Sequence, residues 1–195
     1  MARQTIRELA MRLGPRNAGK AIASALNRVS AMGKTKASAQ IRSRYRIKKR
    51  DLDKRMGTTK ASWKHQKASI YSHGVPIPVH LFRPRQTKKG VRVTILGRSN
   101  TIPHAFMATM RSGHTGVFAR GHYTASGFEF RHKRKRDQMN RTRKNDLPIT
   151  QLTTISQGPM FSHPTVIQPV ISKVEDMLGI RIEHELNAIL AGYRV

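Results

Sequence analysis

The sequence contains no cysteine, which excludes disulfide bonds and metal sites built on thiolates. Acidic residues are scarce, with 10 Asp and Glu against 38 Lys and Arg. No apolar run approaches the roughly 18 residues that a membrane-spanning helix needs. The first residues carry scattered charges and no apolar stretch of the signal-peptide type. We therefore expect a protein that is made in the cytoplasm and has no membrane role.

The shortage of acids leaves a net charge of +28, which repels itself unless an anionic partner is close. Nucleic acid is the commonest such partner, because each neutralised phosphate releases a counterion. The charge is uneven. Residues 164–195 hold three basic and four acidic residues, a net charge of −1, so residues 1–163 carry +29. A basic body and a near-neutral C-terminal piece are expected to do different jobs.

Hydrophobic periodicity predicts helices over 4–13 and 16–32, separated by Gly14-Pro15 and ended by Gly33. Apolar residues alternate most clearly over 91–96, which predicts a strand. A strong amphipathic pattern over 164–192 predicts a long C-terminal helix. The fold class is therefore α+β, with an antiparallel sheet over roughly 66–155 flanked by N-terminal helices and the C-terminal helix.

The predicted organisation is a single domain, as a length of 195 residues suggests. Residues 1–33 form the N-terminal helices, and residues 66–195 form the α+β core. Residues 34–65 are basic and have few apolar anchors, which favours an extended arm that is not fully packed in the monomer. Short helices are plausible within this arm.

Two dense runs of basic residues are the candidate contacts to nucleic acid or to acidic protein partners. The second run lies in a loop over 131–144, and disorder of this loop in the free protein is an equally good interpretation. Neither run resembles a base-reading helix, so DNA contact would be to the backbone and without sequence preference. The candidates are Arg42, Arg44, Arg46, Lys48, Lys49, Arg50, Arg131, Lys133, Arg134, Lys135, Arg136, Arg141, Arg143 and Lys144.

Two apolar stripes are candidates for the core or for contacts between protomers. The N-terminal stripe is rich in small residues, which would let another helix approach closely. The residues are Ile22, Leu26 and Val29 in the first stripe, and Val170, Ile171, Val174, Leu178, Ile182, Leu186 and Ile189 in the second.

Catalytic signatures are weak throughout the sequence. Asp51 and Asp53 have the spacing of a carboxylate pair, but a phosphodiester-cleaving site would need further acids for its metals. Charge on a helix surface is the favoured interpretation of this pair. No nucleotide-binding glycine motif and no nucleophile elbow occurs. We therefore expect no enzyme, no cofactor and no metal.

The single tryptophan, Trp63, lies within a basic stretch. It could anchor a protein interface or stack on a base, and an interface is the commoner use of a lone tryptophan.

In its order of segments the chain resembles the minor tail protein Z family of phages and prophages, the lambda-type tail-completion proteins. The resemblance covers most of the chain and depends on order and pattern, because none of its segments is a catalytic signature. Its segments are AIASALNRVS, IKKRDLDKRM, VRVTILGR, NTIPHAFMATM, GHTGVFARG and LPITQLTTISQGPMF, followed by the C-terminal helix.

The resemblance implies a virion structural protein at the head-proximal end of the tail, where it would join tail to head. It implies a homo-oligomeric ring, expected to be a hexamer, with double-stranded DNA in its lumen. Tail terminator, tail tube and head-completion proteins are the implied neighbours, and the virion tail or neck is the implied location. The charge and the lack of cysteine fit a ribosomal or other RNA-binding structural protein equally well. A DNA-acting enzyme centred on Asp51 and Asp53 is a third alternative.

Overall fold

The computed structural model describes residues 2–124, 127–130 and 149–192, with side chains from residue 6 onward. Long helices at both ends and antiparallel strands between them confirm the α+β class. The chain divides into two compact units. The first comprises the described residues within 1–43, 48–74 and 157–195, and the second comprises those within 44–47 and 75–156.

The first unit is mainly helical, and both long helices belong to it. The elements are α1 (Ala2–Tyr45), α2 (Lys49–Asp53), β1 (Met56–Thr59), β2 (Ser69–Ser72), α3 (Gln157–Ser162) and α4 (Pro164–Leu190), with β1 and β2 paired antiparallel. Helix α1 reaches two residues beyond the boundary of this unit.

Helix α1 is interrupted at Gly14, whose φ of 73° and ψ of 164° are not helical. Glycine tolerates this conformation because it has no Cβ, and the ring of Pro15 suits a helix start. The boundary predicted at Gly14-Pro15 is therefore confirmed as a break. The end predicted at Gly33 is wrong, since α1 continues to Tyr45.

Gly33 is required for packing rather than for ending the helix. A Cβ at this position would lie 2.8 Å from Cδ1 of Ile70 and 3.1 Å from Cγ2 of Val174. Further towards the N-terminus, Ala18 and Ala21 pack against Leu186. Contacts thus run from Leu186 back to Val174 as α1 advances, which makes α1 and α4 antiparallel. The small-residue stripe faces another helix, as predicted, and that helix is α4.

A buried carboxylate joins the same two helices. Glu185 of α4 is 1% exposed and accepts a hydrogen bond of 2.8 Å from the hydroxyl of Ser24. Its Oε1 lies 2.8 Å from Nε of Arg28. Burying a carboxylate is costly unless it is paired and hydrogen-bonded. Glu185 therefore requires α1 to lie with Ser24 and Arg28 towards α4.

The prediction of an extended, incompletely packed arm over 34–65 is wrong for most of that segment. Its few apolar anchors are buried, because the segment continues α1 and then forms α2 and β1. The buried anchors are Ile41, Tyr45, Ile47, Leu52 and Met56. The longest stretch of exposed, irregular chain lies between β1 and β2, where residues 62–67 are all exposed.

The second unit is built of short antiparallel strands around a 3₁₀ helix at Val79–Phe82. The strands are β3 (Pro76–Pro78), β4 (Arg85–Thr87), β5 (Gly90–Ile95), β6 (Arg98–Pro103), β7 (Phe106–Thr109), β8 (Thr115–Thr124), β9 (Gly127–Phe130), β10 (Ile149–Gln151) and β11 (Thr153–Ser156). They were expected in one sheet but form three, with the orders β4-β5-β6, β10-β8-β7 and β11-β3. Strand β9 also pairs with β8.

The alternating pattern over 91–96 corresponds to β5, in which Val91 and Val93 are buried and Arg92 is exposed. The amphipathic pattern over 164–192 corresponds to α4. However, α4 belongs to the first unit, so the predicted core of 66–195 is divided between the two units.

Replacement of Gly33 by Leu should lower the free energy of unfolding by about 1–3 kcal/mol, because the larger side chain collides with Ile70 and Val174. The matched control is Gly179→Leu on the exposed side of α4, where no atom lies within 4 Å of the added Cβ. That change should raise the stability by about 0.5–1 kcal/mol through helix propensity. Urea denaturation followed by circular dichroism measures both. Equal effects would contradict the packing assigned to Gly33.

Replacement of Glu185 by Ala should lower the free energy of unfolding by about 1–3 kcal/mol, since Arg28 and Ser24 lose their acceptor and a cavity forms. Arg28 is 42% exposed and can regain water, which keeps the loss below that of a fully buried pair. Glu175→Ala, an exposed change on the same helix, should alter the stability by less than about 0.5 kcal/mol. Equal losses in the two variants would refute a special role for Glu185.

Candidate nucleic-acid interface

The first basic run has its charges mostly on the surface. Arg42 and Arg44 are half-buried at the end of α1, and Nε of Arg42 donates to the carbonyl oxygen of Ser38 at 3.2 Å. Arg46, Lys48, Lys49 and Arg50 are exposed. Two of these side chains have acidic neighbours. Nζ of Lys49 lies 3.4 Å from Oδ2 of Asp53, and Nε of Arg50 lies 3.8 Å from Oδ1 of Asp51.

The second basic run, with its eight candidates in residues 131–144, lies outside the described residues, and its prediction is unchanged.

Most of the predicted apolar stripe residues build the first unit itself. Val29, Val170 and Leu186 are buried, whereas Ile171 is 41% exposed. The others are half-buried: Ile22, Leu26, Val174, Leu178, Ile182 and Ile189. Ile171 is thus the member of the stripe that is most available to another molecule.

An exposed aromatic ring with two cations beside it lies in the loop between β1 and β2. Trp63 is 44% exposed. The guanidinium carbon of Arg16 is 5.7 Å from the centroid of the ring, and Nζ of Lys64 is 5.1 Å from it. Both distances are within the range of a cation–π interaction. We call Trp63, Arg16 and Lys64 the Trp63 cluster. Sequence reasoning missed it because Arg16 is remote from Trp63 along the chain.

The loop that carries the Trp63 cluster is fastened to α1. The side-chain amide of Asn27 donates to the carbonyl oxygen of Ala61 at 3.0 Å and accepts from its N–H at 2.7 Å. The loop backbone passes close to α1 at Gly19, where an added Cβ would lie only 3.0 Å from the carbonyl oxygen of Trp63. Within the loop, Ser62 N–H donates to the carbonyl oxygen of His65 at 2.9 Å. The backbone that carries Trp63 is therefore fastened to α1.

The carboxylates considered for catalysis have structural contacts. Asp53 accepts a hydrogen bond of 2.9 Å from Ser38, which is 1% exposed, and lies close to Lys49. Asp51 is two positions away on α2, and residues at this spacing do not face each other on a helix. Within the described residues, no group of three or more His, Asp or Glu side chains is placed to hold a metal ion.

One histidine pair is brought together by the fold of the second unit. The rings of His80 and His114 are 5.8 Å apart and nearly perpendicular, and Nδ1 of His80 is 3.4 Å from the side-chain nitrogen of Gln151. The sequence offered no spacing signal for this pair.

No helix in the described part of the chain is long and apolar enough to cross a bilayer.

No protein-family model, curated protein or solved structure matches this chain at a significant level.

Replacement of Asp53 by Ala should lower the free energy of unfolding by about 1–2 kcal/mol, because the buried hydroxyl of Ser38 loses its acceptor. Adding Mn²⁺ should leave the melting temperature of the natural protein unchanged, since Asp53 is already engaged. A melting temperature that rises with Mn²⁺, and does so only while Asp51 and Asp53 are both present, would instead support the enzyme interpretation. Calorimetry of the natural protein and of the Asp51→Ala, Asp53→Ala double variant measures this.

Proposed function

We propose that this chain is a virion structural protein, a tail-completion or neck component of a phage or prophage. In this proposal it forms a ring at the head-proximal end of the tail and joins tail to head around the DNA path. The ring is a hexamer of this chain. Its neighbours are tail terminator, tail tube or head-completion proteins, and double-stranded DNA occupies the lumen.

The observation that carries the proposal is positive charge that the protein cannot neutralise internally. Ten acidic residues cannot pair 38 basic ones, and several of the acids already have partners, among them Glu185 and Asp53. A ring around DNA supplies the missing negative charge as phosphates. The order of segments along the chain supports a tail-completion protein over other DNA-associated structural proteins.

The charge distribution on α4 also supports assembly into a ring. Glu175 and Asp176 are exposed on α4, and Ile171 is exposed on the same helix. An acidic, partly apolar surface on one protomer complements a basic surface on the next. Such head-to-tail contacts generate a ring when the rotation closes.

Removal of the gene from the phage or prophage that encodes it should leave complete-looking tails that fail to join DNA-filled heads. Electron microscopy of the lysates measures this, and the gene supplied on a plasmid should restore joining. Tails that join heads and deliver DNA without this protein would refute the proposal. Cosedimentation with ribosomal subunits, together with absence from virions, would favour the RNA-binding alternative.

A further inference from the structure

We infer that the Trp63 cluster, whose residues belong to neither basic run, is a binding site for the phosphate backbone of DNA. The inference rests on the proposed function for the identity of the nucleic acid as DNA. It goes further by naming residues that composition does not single out.

The cations of the Trp63 cluster are held in place before any ligand arrives. Arg16 and Lys64 have long side chains that would otherwise lose rotamer freedom on binding an anion. The indole ring restrains both at distances of 5.7 and 5.1 Å, and Asn27 holds the loop that carries the ring. Because these side chains lose their rotamer freedom during folding, binding does not carry that entropy cost, and each phosphate contact contributes more affinity.

Further cations extend the surface around the Trp63 cluster. Lys20 is four positions after Arg16 on α1, which places it on the same side of that helix. The loop adds Lys60 and Lys67, both exposed. Residues 60–68 contain no acid, so nothing in the loop competes for these cations.

The surroundings of Trp63 favour a nucleic acid over an acidic protein. A tryptophan that anchors a protein interface is typically the centre of an apolar patch. Here the other residues of 62–67 are Ser, Lys, His, Gln and Lys, all exposed and polar. Cations around one ring, with little apolar area, match the phosphates and sugars of a DNA backbone.

The experiment uses Trp63 as its own reporter, because it is the only tryptophan in the chain. A duplex of about 20 base pairs is titrated into the full-length protein, and Trp63 emission is recorded beside the anisotropy of a dye on the DNA. Emission should change in parallel with anisotropy. Arg16→Gln with Lys64→Gln should weaken binding at least about fivefold and reduce the log–log salt slope by about 1.8, or 0.9 for each lost phosphate contact.

The matched control is Lys88→Gln with Lys89→Gln, which removes two exposed charges from the β4–β5 turn. Its binding should weaken by less than about twofold. Trp63→Leu, followed by anisotropy alone, should weaken binding even though no charge is lost. Equal losses in the two charge variants, or DNA binding without a change in Trp63 emission, would overturn the inference.

Three further outcomes separate this inference from its rivals. A poly-glutamate peptide that alters Trp63 emission at a lower concentration than DNA does, at equal salt, would replace DNA by an acidic protein partner. Tails that require this protein to join heads, combined with an unresponsive Trp63, would refute the inference and leave the proposed function standing. A responsive Trp63 with normal head joining in the gene deletion would do the reverse.

Discussion

The packing of α1 against α4 is the constraint on which the first unit depends. The two helices come from opposite ends of the chain, so that Ser24 and Glu185, which share a hydrogen bond, are 161 residues apart in sequence. Small residues on α1, such as Ala21 and Gly33, leave room for the larger side chains that pack against them. Glu185 fixes which side of α1 faces α4, because a buried carboxylate is tolerated only where Ser24 and Arg28 reach it.

This packing also explains how a protein of net charge +28 can fold. Helix α4 is near neutral, so it can lie along the basic helix α1 without adding to the repulsion. Positive charge is then displaced to surfaces that face solvent, such as Lys48 at the start of α2 and Lys64 in the loop between β1 and β2. Concentrating charge there costs folding free energy that an anionic partner recovers on binding.

The proposed role follows from this surplus charge and from where the protein fixes it. In the first basic run, Arg46, Lys48, Lys49 and Arg50 are exposed on the surface, where they can contact an anion of variable position. The Trp63 cluster differs, because its ring restrains Arg16 and Lys64 and its loop is tied to Asn27. A ring-shaped assembly around DNA would need both kinds of contact: diffuse attraction along the path and a few fixed points that set the distance to the backbone.

Local periodicity and the conformational limits of glycine and proline were enough to predict the α+β class, the break at Gly14-Pro15, the strand at 90–95 and the helix at 164–190. Local patterns did not predict that Gly33 lies inside a helix, that the basic segment after it is packed, or that Arg16 meets Trp63. These features depend on partners distant in sequence, such as Val174 for Gly33, and no local pattern specifies which distant side chain fills a space.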